Sequence, residues 1–337
     1  MSWQIIGHDW AVALLRRAVA TGRVAHAYLF CGPPQIGKTR LALVLAQALE
    51  CTQPDPPCGE CASCTKIERS THLDVRVVMG EGVAGSLKID QIRDLQREAV
   101  LAPYEGRYRV FILRRMDLAT LEAANSLLKT LEEPPAHVVL VLTAVHAEML
   151  PPTVVSRCQR LDLRAVPLPA VEAALHDRGV PSSQAELLAR LSGGRVGWAF
   201  QVAQDPKLLR ERQQDLDQMV RLLSADRVER LDFAWKASRD PVAGRELLQL
   251  WTTWWRDLLL LDGQGEDHVV NIDRDHELRR LVHQSPWQKA LMVVKALQAT
   301  SAQLEANVNA RLAWEGLMLQ LPHCEPVLQD SHVGNDR

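Results

Sequence analysis

Gly32-Pro33-Pro34-Gln35-Ile36-Gly37-Lys38-Thr39 restricts the fold of this chain more than any other segment. The Gly-x4-Gly-Lys-Thr spacing wraps backbone N–H groups around a β-phosphate, aims Lys38 at the β/γ oxygens and offers the Thr39 hydroxyl to Mg²⁺. Such a loop works only between a strand and a helix. The flanks supply both: His26 to Cys31 reads as a short buried strand, and Leu41, Val44, Leu45 and Leu49 recur at helical spacing after Lys38. Gly32, Gly37, Lys38 and Thr39 are therefore candidate ligands for ATP or ADP with Mg²⁺.

The next buried strand but one, Arg109 to Leu113, ends in Arg114-Arg115. A nucleotide hydrolase places a carboxylate there to hold the metal and needs a second group to orient the attacking water. Two arginines do neither, so the loop predicts binding without predicting turnover. With Arg107 and Arg109 they read as one small basic cluster, ordinarily a solvated strand end.

Alternating patterns extend the parallel α/β reading: strand 73–78, helix 89–101, strand 109–113, helix 118–132, strand 138–143. A further helix is expected over 11–21 and a further strand from Gln159 to Leu163. Asp117 is the expected cap of helix 118–132, and Pro134-Pro135 end it, because proline cannot continue the hydrogen-bond ladder. After about residue 165 the strand signal stops. Helical periods broken by Pro167, Pro169, Pro181, Gly193-Gly194 and Pro206 predict a small helical domain, followed by a longer all-helical region over roughly 209–320. There Trp235, Trp251, Trp254, Trp255, Trp287 and Trp314 are expected to form a core or an interface.

Four of the seven cysteines, Cys51, Cys58, Cys61 and Cys64, lie within 14 positions. Cys-x6-Cys-x2-Cys-x2-Cys brings four soft thiolates to one ion, and a structural tetrahedral Zn²⁺ fits best. Four protein ligands leave no open coordination position, so no metal catalysis is expected. The chain is 47% hydrophobic, and 39 basic against 41 acidic residues leave a net charge of -2, so no overall positive field argues for nucleic-acid binding. Met1-Ser2-Trp3-Gln4 lacks a charged, then apolar, leader, and no apolar run approaches the ~18 residues of a membrane span. A cytoplasmic protein is the expectation.

Taken in order, Gly7-His8, His26-Ala27-Tyr28-Leu29-Phe30, the phosphate loop, the four cysteines, Leu127-Leu128-Lys129-Thr130-Leu131-Glu132-Glu133-Pro134-Pro135 and Ser156-Arg157-Cys158 resemble the bacterial clamp-loader AAA+ subunits. The resemblance covers residues 3 to about 205. It implies an AAA+ nucleotide-binding-like domain over 1–165 with a zinc knuckle at 51–64, a helical lid over 166–208, a helical collar over 209–325 and a polar tail over 326–337. It implies a hetero-oligomeric DNA polymerase III assembly with gamma/tau and delta subunits, which places a sliding clamp on primed DNA. Arg157 of the Ser-Arg-Cys segment is then an arginine finger acting in trans on a neighbour's ATP site. Thr143 matches the family's sensor threonine, although Ala144-Val145-His146 after it is less polar than usual.

Several departures point to a largely non-hydrolysing member. Arg114-Arg115 replace an Asp-Glu pair, and Gly197 falls where active members carry a lid arginine, with Arg195 two positions away. The intact phosphate loop points the other way, since many non-hydrolysing members have lost it. An active motor using Glu132 or Glu133 is the competing expectation. A stand-alone small-molecule kinase is a third, against which the cysteine knuckle and helical C-terminal third argue.

Overall fold

The computed structural model describes residues 3–81, 85–263, 265–284, 287–305 and 308–324; the tail expected at 326–337 lies outside them. Two compact units are present, Met1–Phe200 and Gln201–Arg337.

The first unit is built on five strands, β1 (Ala27–Cys31), β2 (Val75–Val78), β3 (Arg109–Leu113), β4 (Val138–Ala144) and β5 (Gln159–Asp162). All pairs are parallel, in the order β2-β3-β4-β1-β5. Parallel neighbours cannot be joined by a tight turn, so each connection is a crossover. Helix α1 (Asp9–Ala20) precedes the sheet. Between successive strands lie α2 (Lys38–Glu50) and α3 (Ala62–Glu68), then α4 (Ile89–Ala99), α5 (Leu121–Glu132) and α6 (Pro152–Val155).

Side chains alternate across the sheet, and both faces are covered. Ala27, Leu29, Phe111, Leu113, Leu140 and Leu142 pack with Leu95 and Leu127, while Tyr28, Phe30, Val110, Ile112, Val139 and Val141 pack with Leu15, Leu41 and Leu45. Every residue of β1 and β4 is buried. Double burial is why these strands read as unbroken apolar runs. From β1 the chain crosses to the edge strand β2 and returns through β3 to β4 beside β1, and β5 lies on the other side of β1. That reversal opens a crevice at the carboxyl end of β1, the position where open α/β sheets bind ligands.

Asp117 does not cap α5. The Thr120 hydroxyl accepts from the Ala123 N–H at 3.2 Å, while Asp117 lies in a single 3-10 turn, Met116–Leu118. The arginines do not form one cluster either. Arg107 and Arg109 stand at the start of β3 and Arg114-Arg115 at its end, about 17 Å apart at ~3.3 Å per residue.

Three short helices follow the sheet, α7 (Leu168–His176), α8 (Ser182–Ser192) and α9 (Val196–Gln204). Gly194 follows α8 with φ +82, and a Cβ there would lie 2.6 Å from the Val166 carbonyl oxygen, so only glycine fits.

The second unit holds α10 (Pro206–Ser224), α11 (Arg227–Ala237), α12 (Pro241–Asp262), α13 (Asp275–Gln284), α14 (Trp287–Glu305) and α15 (Ala310–Gln320). Its described residues include no strand. Two of its helices open on Asp-Pro: the Asp240 carboxylate accepts from the Val242 and Ala243 N–H groups at 2.9 and 3.0 Å, and proline at the first position loses no bond. Trp251, Trp254, Trp255 and Trp314 are fully buried, with Phe233 stacked on Trp251 and Trp314 edge-on to it. Trp235 and Trp287 are instead 42% and 49% exposed, so the tryptophans do not act as one set. Buried Arg230 donates to the carbonyls of Leu222 and Leu223 at the end of α10 and of Met318, Leu321 and Pro322 at the end of α15. One guanidinium thereby satisfies two helix termini.

Candidate functional site

The phosphate loop is tied to the sheet at its first residue. The Gly32 N–H donates to the carbonyls of Ala144 and Val145 at the end of β4, 3.2 and 3.0 Å away. A Cβ on Gly32 would lie 2.3 Å from the Leu163 carbonyl oxygen, at φ +143. Gly37, at φ +109, turns the chain into α2, whose first turn carries no acid. The positive end of the helix dipole is therefore unopposed at the loop. Half-buried Thr39 sits in that first turn, next to Lys38.

The loop's own carbonyls are engaged from several sides. The Lys38 ammonium, 7% exposed, donates to the carbonyls of Gly32 and Pro33, the latter at 2.7 Å. Burial pulls its pKa down to about 8, with Asp117 opposing the fall and Arg115 adding to it. The Gly197 N–H at the start of α9 donates to the Gln35 carbonyl at 2.8 Å, and His8 Nε2 lies 3.1 Å from the Ile36 carbonyl. A Cβ on Gly197 would stand 2.8 Å from the Gln35 carbonyl oxygen. The position expected to carry a lid arginine in an active relative is thus filled by backbone packed against the loop. Arg195 Nε donates to the Ser192 carbonyl at 2.9 Å, and its guanidinium lies over the Trp198 ring.

Beyond β4, the end of β3 carries an ion pair in place of an acid pair. Arg115 takes a left-handed backbone, φ +54, and its guanidinium forks onto Asp117 at 2.9 and 3.1 Å. The Asp117 side chain is fully buried. Both shorter bonds end on Oδ2, with Nε 3.3 Å from Oδ1, so the carboxylate nearest this strand end in sequence is held by the arginine. The Arg115 N–H donates to the Thr143 hydroxyl at 3.1 Å, which places the sensor-position threonine against the arginine pair. Sequence patterns missed the Asp117 pairing. Its signal was an acid two residues after Arg115, a spacing also compatible with a cap.

Arg157 stands apart from this constellation. It follows α6, where its guanidinium donates to the Thr153 carbonyl at 2.9 Å and pairs with Glu132 at 2.7 Å. Neither partner belongs to the loop. Cys158 next to it is turned inward against the sheet core, and burial pushes its thiol up to about 12.

The four cysteines do converge. Their sulfurs all lie within 4.8 Å of one another, with Cys58 to Cys64 and Cys51 to Cys61 each at 4.0 Å. A tetrahedral ion with metal–sulfur bonds of ~2.3 Å requires sulfurs about 3.8 Å apart, so the cluster needs little adjustment. Cys61 caps α3, its sulfur accepting from the Cys64 N–H at 3.5 Å, and Cys58 accepts from the N–H groups of Glu60 and Cys61 at 3.5 and 3.3 Å. Those amide dipoles hold the Cys58 thiol down to about 6. The donor set suits a closed structural metal centre.

Fold and loop together define a P-loop AAA+ module with a four-cysteine insert between its first loop-bound helix and second strand, followed by an all-α unit. The family described as DNA polymerase III, delta subunit, matches residues 7–167. The delta' subunit of Bacillus subtilis DNA polymerase III is 29% identical over 91% of this chain and 94% of its own length. The tau subunit of the same organism is 35% identical over 50% of this chain, which spans only 30% of tau. A solved DNA polymerase III gamma subunit-related protein of Thermotoga maritima covers 91% of this chain and 97% of its own, with TM-score 0.48 and 19% identity. The chain is similar to the tau and delta' subunits of DNA polymerase III, and its end-to-end likeness is to delta'. Among the described residues no helix is long and apolar enough to cross a membrane.

Proposed function

We propose that this chain is a delta-prime-type subunit of a clamp loader, a AAA+ protein that assembles with gamma/tau-type and delta-type subunits and helps place a sliding clamp on primed DNA in the cytoplasm. It keeps a nucleotide loop, formed by Gly32, Gly37, Lys38 and Thr39 with Thr143 nearby, without turning nucleotide over. Its contribution to catalysis is Arg157, offered to the ATP site of a neighbour. Residues 166–208 serve as the lid over the loop and 209–325 as the collar through which subunits join. Zn²⁺ is the ion for Cys51, Cys58, Cys61 and Cys64, where it fixes the knuckle and does no chemistry.

One observation carries this reading: the end of β3 holds Arg115 locked onto Asp117. A metal-holding acid is missing from the place where hydrolysis needs one. Glu132 is a poor substitute, being paired with Arg157 at the end of α5. ATP hydrolysis by the purified chain alone, with and without primed DNA, is expected to stay at background. Robust turnover would overturn the proposal in favour of an active motor.

A further inference from the structure

We infer that Glu132 is the positioning residue for Arg157, holding the guanidinium in the geometry in which a neighbour's phosphate meets it. The inference rests on the proposed finger role of Arg157 and adds a residue to it. Arg157 lies on a short turn after a four-residue helix, a weak support for a side chain with several free torsions. Two contacts compensate. One terminal nitrogen donates to the Thr153 carbonyl at 2.9 Å, and the other meets the Glu132 carboxylate at 2.7 Å. The backbone is pinned as well: the Cys158 side chain packs into the sheet core, and the Ser156 hydroxyl donates to the Thr153 carbonyl at 3.2 Å. The pair joins the end of α5 to the end of α6, two elements already packed together.

The strength of the contact matches the task. Arg157 and Glu132 are 35% and 50% exposed, so the pair belongs to the screened class worth at most about 1 kcal/mol. A bond of that size is enough to bias the orientation of the arginine. Five N–H donors on a guanidinium leave others for the incoming oxygens while Thr153 and Glu132 keep theirs. Holding a group in place before the reaction lowers the barrier without adding binding energy.

The test is turnover of the reconstituted assembly bearing Glu132→Gln, Glu132→Asp, Arg157→Ala, or Glu132→Gln with Arg157→Ala. Glu132→Gln is expected to lower kcat up to about fivefold with KM for ATP little changed. Glu132→Asp should recover part of the loss, and Glu132→Gln should cost nothing further once Arg157 is alanine. An unchanged kcat in Glu132→Gln, or an equal loss with and without Arg157, would overturn the positioning role while leaving the finger intact. Unchanged turnover in Arg157→Ala alone would remove the finger, and this inference with it.

Discussion

Lys38 shows how burial sets the working range of a single side chain. Its ammonium is nearly removed from water and satisfied by two loop carbonyls, and its pKa falls to about 8. Phosphate favours the charged lysine, so nucleotide binds best below that value and binding takes up a proton above it. ATP affinity of the purified chain, followed by equilibrium titration from pH 7 to 9.5, is expected to be level up to about 8 and then to weaken up to about tenfold per unit. Constant affinity across the range would contradict the buried state of Lys38. At this scale the sequence supplied the loop residues and Arg157 but not their partners. Asp117 looked like a helix cap because an acid before a helical period usually is one. What decides its partner is the left-handed turn at Arg115, which local spacing does not encode. Glu132 stood out only as a substitute acid within a shared segment, since pairing with Arg157 depends on how α5 and α6 meet.

The cysteine knuckle is an element whose four thiols converge. Short helix α3, seven residues long, would be marginal alone, and its cap is a ligand sulfur. A metal bound by these cysteines would therefore be coupled to local folding. One zinc per chain is expected by elemental analysis, and Cys61→Ser should both release it and lower the melting temperature of the first unit. Retention of a full equivalent of metal in that variant would contradict the four-ligand site. The spacing made this element readable in advance, because four thiols within 14 positions, the last three separated by two-residue gaps, have few other uses. Strands were readable for a different reason: burial on both faces turned β1 and β4 into continuous apolar runs. Helix starts were less so. Thr120 rather than Asp117 caps α5.

Over the whole molecule the first unit carries every candidate ligand and the second carries a helical core centred on Trp251, Trp254, Trp255 and Trp314. Periodicity predicted a helical second unit but not which tryptophans it would bury, since Trp235 lies on the same pattern and is exposed. In the proposed reading this chain gives more catalytic groups than it uses. Its own loop faces a neutralised acid at Arg115–Asp117 and a glycine at position 197, while Arg157 is engaged elsewhere, on the α5–α6 side. Two substitutions should therefore separate in the reconstituted assembly. ATP turnover with Arg157→Ala, measured beside Lys38→Ala, is expected to fall by about 10³–10⁵ at the site this chain serves, while Lys38→Ala leaves that site's turnover near the parent level. Loss of turnover with Lys38→Ala and none with Arg157→Ala would contradict the account.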